Sequence, residues 1–217
     1  MLEYPKIETL YVRDLETHKV IDGELRRPEF AIPRTWHVTE KVDGTNVRLI
    51  LDNTPSVSYR GRTDAAQMPP FLLDMLQGRF PLPIVAAAFE PLTTAIIFGE
   101  GYGPRIQKGG GNYTSIVSFR VFDVAVLGDD NRWRWLSWGG VTDIARKIGA
   151  DTVPVLYESA TLQQALSLVV VGSHVARVEN SSAPTIVQEG IVARTDPLLF
   201  MGDGRRLTFK LKGRDFA

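Results

Sequence analysis

The 217-residue chain contains no cysteine, which excludes disulfides, thiolate nucleophiles and cysteine-bound zinc. Histidine is scarce. His18, His37 and His174 stand far apart without ligand spacing, and each reads as structural or exposed rather than catalytic. Neither sign of charge is in excess, Lys plus Arg and Asp plus Glu each numbering 25, so the overall basic surplus that often accompanies non-specific polyanion binding is missing. Any polyanion contact must therefore be local, and the candidates are Arg60, Arg62, Arg105 and Lys108, with the late group Arg205, Arg206, Lys210, Lys212 and Arg214. No apolar run approaches the length of a membrane span and the N-terminus lacks a basic-then-apolar signal, so a soluble, cytoplasmic protein is expected. No repeat, low-complexity tract or linker is visible, and one domain over residues 1–217 is the economical reading.

Apolar runs rich in Val, Ile, Phe and Trp at 36–42, 46–51, 95–100, 115–127, 186–194 and 207–212 predict strands. Between them, helical spacing appears at Phe71 to Leu76 after Pro69-Pro70, at Ile84 to Phe89, at Val141 to Ile148 with Gly149 as terminator, and at Leu162 to Val169, ending near Gly172. Strands mixed irregularly with helices predict an α+β fold rather than repeating βαβ units. The segment Gly101 to Tyr113, with Gly109-Gly110-Gly111, reads as a mobile loop. Gly99, Gly101 and Gly103 lack the spacing and the following helix of a dinucleotide fingerprint.

Chemistry concentrates in a few short stretches. Lys41 stands before Asp43-Gly44, a pair suited to reversing a strand. A lysine amine is protonated near neutral pH, with an ordinary pKa of about 10.4, so a nucleophilic one needs burial, nearby cations or a metal. Lys210 and Lys212 lie two residues apart and on a strand would share one face, as if around an anion, while Leu211 packs on the other. The bland alternative is an edge strand whose lysines blunt aggregation. Glu100 closes the apolar run Ile96 to Gly99, and Glu189 heads the apolar run Gly190-Ile191-Val192.

Taken in order, Lys41-Val42-Asp43-Gly44, Arg60-Gly61-Arg62-Thr63, Phe98-Gly99-Glu100, Phe119-Arg120-Val121-Phe122-Asp123, Glu189-Gly190-Ile191-Val192 and Lys210-Leu211-Lys212 resemble the successive motifs of the covalent nucleotidyltransferases: DNA ligases, RNA ligases and mRNA-capping guanylyltransferases. The surrounding text is most similar to the small ATP-dependent RNA ligases of bacteria and their phages. It comprises Thr39-Glu40-Lys41-Val42-Asp43-Gly44-Thr45-Asn46, Gly61-Arg62-Thr63-Asp64 with Ala66-Gln67 and Pro69, Gly99 to Tyr113, and Asp215-Phe216 after the last motif.

The resemblance implies a nucleotidyltransferase (ATP-grasp-like) ligase fold, in which antiparallel sheets pack together with flanking helices and hold the nucleotide between them. It implies that Lys41 forms a covalent lysyl-AMP, and that Lys210 and Lys212 contact the nucleotide phosphate. Arg62, or Arg60 across a single glycine, would contact the ribose or phosphate side. Glu100 would take the ribose hydroxyl, Phe119 the purine, Glu40 the adenine edge and Asn46 the phosphate. Asp43 would orient Lys41, approach the metal or simply form the turn. Glu189 would serve a divalent metal, Mg²⁺ or Mn²⁺. The partners implied are RNA ends bearing a 5′-phosphate and a 3′-hydroxyl. Such enzymes usually append an OB-fold or helical domain after the final Lys-x-Lys, whereas only Gly213 to Ala217 follow here. RNA capture is therefore expected from Arg105 and Lys108, together with the basic group near Arg205 and Arg206. A GTP-dependent capping enzyme, a DNA ligase, and a module that binds nucleotide or RNA ends without ligating stand as alternatives.

Overall fold

A computed structural model describes residues 1–17, 19–54, 56–180 and 186–216, so that His18 lies outside the described residues. In chain order, β1 (Glu8–Thr9), β2 (Tyr11–Arg13), β3 (Val20–Leu25), β4 (Trp36–Lys41), β5 (Thr45–Asp52) and β6 (Ser56–Gly61) precede the helices α1 (Pro70–Arg79) and α2 (Leu82–Ala86). Next come β7 (Ala95–Tyr102), β8 (Ser118–Leu127), β9 (Trp133–Trp135), α3 (Trp138–Lys147), β10 (Asp151–Thr152) and β11 (Val155–Ala160). Helices α4 (Leu162–Ser167) and α5 (His174–Glu179) are followed by β12 (Gly190–Arg194) and β13 (Thr208–Lys212). The α+β expectation holds. The chain divides into two compact units, Met1–Pro5 with Asp43–Val153, and Lys6–Val42 with Pro154–Ala217.

The first unit is built on a sheet of order β10-β8-β7-β5-β6, with β9 paired to β8. Its pairings are antiparallel except that of β10 with β8. Leu49, Ile97, Phe98 and Val124 are fully or almost fully buried within it. Helices α1 and α2 pack on β5, β6 and β8, and α3 packs on β8 and β10. Ser137 caps α3 by accepting from the Gly140 amide, and Gly149 follows it at φ +69°, the left-handed turn that glycine allows. Tyr4 anchors the N-terminal residues: its hydroxyl donates to Asp123 at 2.9 Å and its ring packs against Phe98, Phe122 and Trp135.

The second unit carries a sheet of order β1-β13-β12-β4-β11 and a separate β2-β3 pair. Only β1 joins β13 in parallel. Trp36, Val38, Ile191, Phe209 and Leu211 form its core with Phe30, all at most 1% exposed. Each such side chain contributes about 1.5–3 kcal/mol by leaving water. β13 alternates as expected, Phe209 and Leu211 inward and Lys210 and Lys212 half-buried on the other face. It is an interior strand, flanked by β1 and β12, so the edge-strand reading of its lysines fails.

Several expectations are corrected. Asp43-Gly44 makes no hairpin: β4 belongs to the five-stranded sheet and β5 to the six-stranded one, so the turn hands the chain from one sheet to another. The strand expected from 115 begins at Ser118, and the one expected from 186 begins at Gly190, after an isolated bridge of Val187 to Gly172. The fourth helix stops at Ser167, and Ser173 starts another that helical spacing did not reveal. Strands β1, β2, β3, β6, β9 and β11 are short or lie half in solvent, and their periodicity is too weak to read. In the segment read as a mobile loop, β7 continues through Gly101 and Tyr102, and the remainder closes on itself through Ile106 N to Gly103 O, Gly110 N to Gln107 O and Asn112 N to Gly109 O.

Gly44 is required by close approach, because a Cβ there would lie 2.2 Å from the Gly101 carbonyl oxygen. Gly44→Ala should cost about 1–3 kcal/mol in urea unfolding. Gly111→Ala, where a Cβ meets nothing within 4 Å, should stay within about 0.5 kcal/mol of wild type. Equal midpoints for the two variants would contradict the contact.

Candidate active site

In the second unit, strand pairing alone gathers three charged side chains. β12 lies between β4 and β13, and Gly190 at its head is in register with Lys41 on one side and Lys212 on the other. Glu189, one residue earlier, accepts from the Lys41 ammonium through Oε2 and from the Lys212 ammonium through Oε1. The three side chains are only 16–21% exposed. A Cβ on residue 190 would lie 2.0 Å from the Leu211 carbonyl oxygen, so glycine is needed to bring β12 and β13 this close. Burial pushes the Glu189 carboxyl up, but the charge of Lys41 and the hydrogen bonds from Lys212 and Lys41 outweigh it and hold the group below its ordinary value.

The last turn of the chain reinforces this arrangement. The Gly213 amide donates to the Glu189 carbonyl at 3.0 Å, and the Lys212 amide donates to Asp215 Oδ2 at 3.0 Å. Asp215 is itself buried and held by Arg13 at 2.7 Å. Lys210 shares the face of Lys212 and stands in register with Val192 and Thr9. It is Lys212 that pairs with Glu189.

Glu40 does not present itself to a ligand. It is 1% exposed, and both of its oxygens are taken by Ser173 and by the first amides of α5. An adenine-reading side chain would need a donor or acceptor open to the base. In this structure the Glu40 oxygens are turned to Ser173 and α5 instead. His37 is 4% exposed, and burial, followed by the charge of Arg194, lowers its pKa. His174 is exposed, with its ring beside Arg177. Neither histidine joins the three-charge group.

The first unit holds the other expected site residues. Asn46 on β5 is directly opposite Glu100 on β7, which in turn is opposite Arg120 on β8, so these cross-strand neighbours share one face. The Asn46 side-chain oxygen is buried and has no hydrogen-bond partner among the described residues. Asp43 is half-buried in the turn after Val42. Arg60 and Arg62 are both exposed, on the last residues of β6 and just beyond it. Their loop is fixed by Arg48, which is fully buried and donates to the Gly61 carbonyl at 2.8 Å, to Asp64 at 2.7 Å and to the Leu2 carbonyl at 3.1 Å. Phe119 is 1% exposed, packed edge-on to Phe80 at 5.4 Å and over Gly99, so its ring belongs to the core. Arg105 and Lys108 are exposed; the Arg105 guanidinium lies 4.5 Å over the Phe71 ring. In the same loop the Gln107 side chain donates to the Gly44 carbonyl at 3.0 Å.

The basic group near the C-terminal end is not the open patch its residue types suggest. Arg205 is ion-paired to Asp203 at 2.5 Å and to Glu8 at 3.4 Å, and Arg27 joins the same acids. Sequence spacing missed Ser173, Asp215, Arg13, Arg48 and Gln107. The residue pair Asp215-Phe216 was the one textual sign among them, while the others become visible only through partners far away in the chain.

Among the described residues no three His, Asp or Glu side chains cluster to hold a metal, and no helix is long and apolar enough to cross a membrane. A family model described as RNA ligase matches residues 34–212. No curated protein sequence matches the chain. Among solved structures it resembles a variant of the Naegleria gruberi RNA ligase with AMP and Mn, at a TM-score of 0.63 and 14% identity, over 98% of this chain and 62% of that one. A second variant of that ligase, with ATP and Mn, gives 0.61 and 16% over 98% and 62%, and a third, also with ATP and Mn, gives 0.62 and 16% over 99% and 58%. The chain thus spans about three-fifths of the length of these structures, whose likeness shows the nucleotidyltransferase ligase fold.

Because the folded Glu189 carboxyl titrates below its unfolded value, its contribution to stability is complete above about pH 4.3 and is lost as pH falls from there through the folded value. Glu189→Gln should therefore be less stable than wild type at neutral pH, and the gap should narrow below about pH 4.3. Thermal melts of both proteins from neutral pH down to the acid limit of folding would show it. A gap independent of pH would rule out the ion pairs.

Proposed function

The chain belongs to the RNA ligase family, and on that premise we propose that residues 1–217 act as a single adenylyltransferase domain of an ATP-dependent RNA ligase. The observation that carries this reading is the carboxylate of Glu189 shared by Lys41 and Lys212. Three strands bring a nucleophilic side chain, a hard oxygen donor and a second cation to one place, as adenylyl transfer requires.

Lys41 Nζ attacks the α-phosphorus of ATP, forming a P–N bond as the bond to pyrophosphate breaks. A 5′-phosphate oxygen of RNA then attacks the same phosphorus, releasing Lys41 and leaving an adenylylated RNA end. Finally an RNA 3′-hydroxyl attacks the RNA 5′-phosphate and AMP departs. While Lys41 is ion-paired to Glu189 its nitrogen is held as a donor, so that contact must open before the first attack. Lys212, with Lys210 on the same strand face, then faces phosphate instead of carboxylate and balances the charge that builds on the transferring group.

Glu189 offers the hard oxygens that Mg²⁺ or Mn²⁺ prefers, and one carboxylate suffices for a magnesium site completed by water and substrate phosphates. Such an ion, when bound, neutralises phosphate charge and supplies a Lewis acid. Lys41 is freed from Glu189 in the same exchange. For the nucleotide we assign Asn46, whose buried oxygen awaits a donor, with Glu100 beside it for a ribose hydroxyl and Arg62 for the ribose or phosphate. Asp43 sits where it can orient the turn after Lys41. The core packing of Phe119 leaves its base contact resting on family resemblance.

Lys41→Ala should abolish the mass increase of one AMP that ATP and Mg²⁺ give the wild-type protein, with circular dichroism unchanged. An adduct persisting in the variant would refute the assignment. Labelled GTP in place of ATP separates this enzyme from a capping guanylyltransferase, and no label from either nucleotide would indicate a binding module.

With Arg205 ion-paired to Glu8 and Asp203, we assign capture of RNA to Arg105 and Lys108. Replacing both with Ala should slow AMP transfer to RNA more than it slows formation of the enzyme adduct, and the defect should deepen with salt, because phosphate contacts position the polynucleotide electrostatically. Single-turnover rates of both steps at two salt concentrations decide it. Equal losses would place the loop at the ATP site instead.

A further inference from the structure

Glu40 precedes Lys41 on β4, and all its side-chain bonds shown by the structure lead inward. Oε1 accepts the Ser173 hydroxyl at 2.5 Å, and Oε2 accepts the amides of His174 at 2.9 Å and Val175 at 3.2 Å. The Ser173 oxygen accepts in turn from the Ala176 amide at 3.0 Å, so one hydroxyl both caps α5 and holds the carboxylate. Glu40 and Ser173 are 1% and 3% exposed. Turning the carboxylate toward a ligand would leave a buried hydroxyl, the buried Val175 amide and the partly buried His174 amide unmet, a larger loss than a single base contact restores.

The main chain is fixed at the same point. The Glu40 amide donates to the Pro154 carbonyl at 2.9 Å, and the strand is in register with β12 at Ile191 and Gly190. Successive side chains on a strand point to opposite faces, so Glu40 is tied down on the α5 face while Lys41 emerges on the face of Glu189. Any slack in Glu40 would reach the Lys41 Cα directly.

We propose that Glu40 is a positioning residue for lysine adenylylation: clamped by Ser173 and the start of α5, it fixes the end of β4 from which Lys41 attacks, and it does not read the base. The proposal rests on Lys41 being the nucleophile. A charge-assisted clamp that aligns a nucleophile contributes to the rate of attack, not to nucleotide affinity or choice.

Adduct formation in single turnover, over a range of ATP and GTP concentrations, tests this with Ser173→Ala and Glu40→Gln. Both variants should lose on the order of 10- to 100-fold in maximal rate, with half-saturating ATP within about twofold of wild type and the ATP-to-GTP preference unchanged. The double variant should be no slower than Glu40→Gln alone, because the two residues act as one unit. A merely structural role would lower the fraction of protein that reacts while leaving the rate constant of the remainder intact, and that result would overturn the proposal. So would relaxed ATP-to-GTP selectivity in Glu40→Gln beside a wild-type Ser173→Ala. Absence of any adduct from the wild-type protein would instead remove the nucleophile assignment, and this inference with it.

Discussion

A single carboxylate shared by two ammonium groups is the interaction on which the second unit's chemistry depends. Glu189 taken alone is a partly buried acid, and burial would favour its neutral form; Lys41 and Lys212 reverse that. The converse also holds. Two lysines brought to one point by strand pairing would repel without an anion between them. The chain supplies that anion itself, through β12 lying between β4 and β13 and a glycine at position 190 that lets it fit. In the proposed reaction the arrangement would work by exchange: an incoming phosphate would take the lysines, leaving the carboxylate open to a cation.

Such a group works only if its backbone does not drift, and the charged residues around it serve that end. Asp215 is buried yet satisfied by Arg13 and by the Lys212 amide, so its desolvation is offset and Lys212 gains a fixed origin. Arg48 does the same within the first unit, where two of its donors tie Gly61 and Asp64 and so define the loop that carries Arg62. That hydrogen bond holds the Asp64 carboxyl below its ordinary value. In each case a charge is buried against main-chain partners beside a residue assigned to catalysis, which sets geometry more than it adds stability.

What the sequence made legible follows from physics that acts locally. The face shared by Lys210 and Lys212 is a property of a two-residue period, and it holds in β13 because Phe209 and Leu211 fill the core. The motif order located Lys41 and Glu189 but could not show that they touch, because a register between β4 and β12 joins residues 148 apart in the chain. Asp43-Gly44 was misread as a hairpin because dipeptide preference describes a turn and not the sheet each flank enters. The burial of Glu40 escapes the sequence for a related reason. Its partners, Ser173 and the amides of a six-residue helix, leave no periodic trace near position 40. Short strands such as β1, which brings Glu8 to Arg27 and Arg205, were invisible because two residues carry no pattern.

Charge balance gives the last step. With 25 basic and 25 acidic residues, the chain has no net charge to draw in a polyanion, and the arginines gathered at Glu8 and Asp203 are paired with acids. Selectivity for phosphate must then come from places where cations outnumber acids at short range. Lys41 and Lys212 against Glu189 are such a place, two positive charges to one negative, partly shielded from water so that salt screens them little. Arg105 and Lys108 are the opposite case, exposed and open to screening. In the proposed reaction the two groups would therefore suit different tasks: the shielded one would hold a small nucleotide tightly enough for chemistry, and the exposed one would engage a long strand loosely enough to release it.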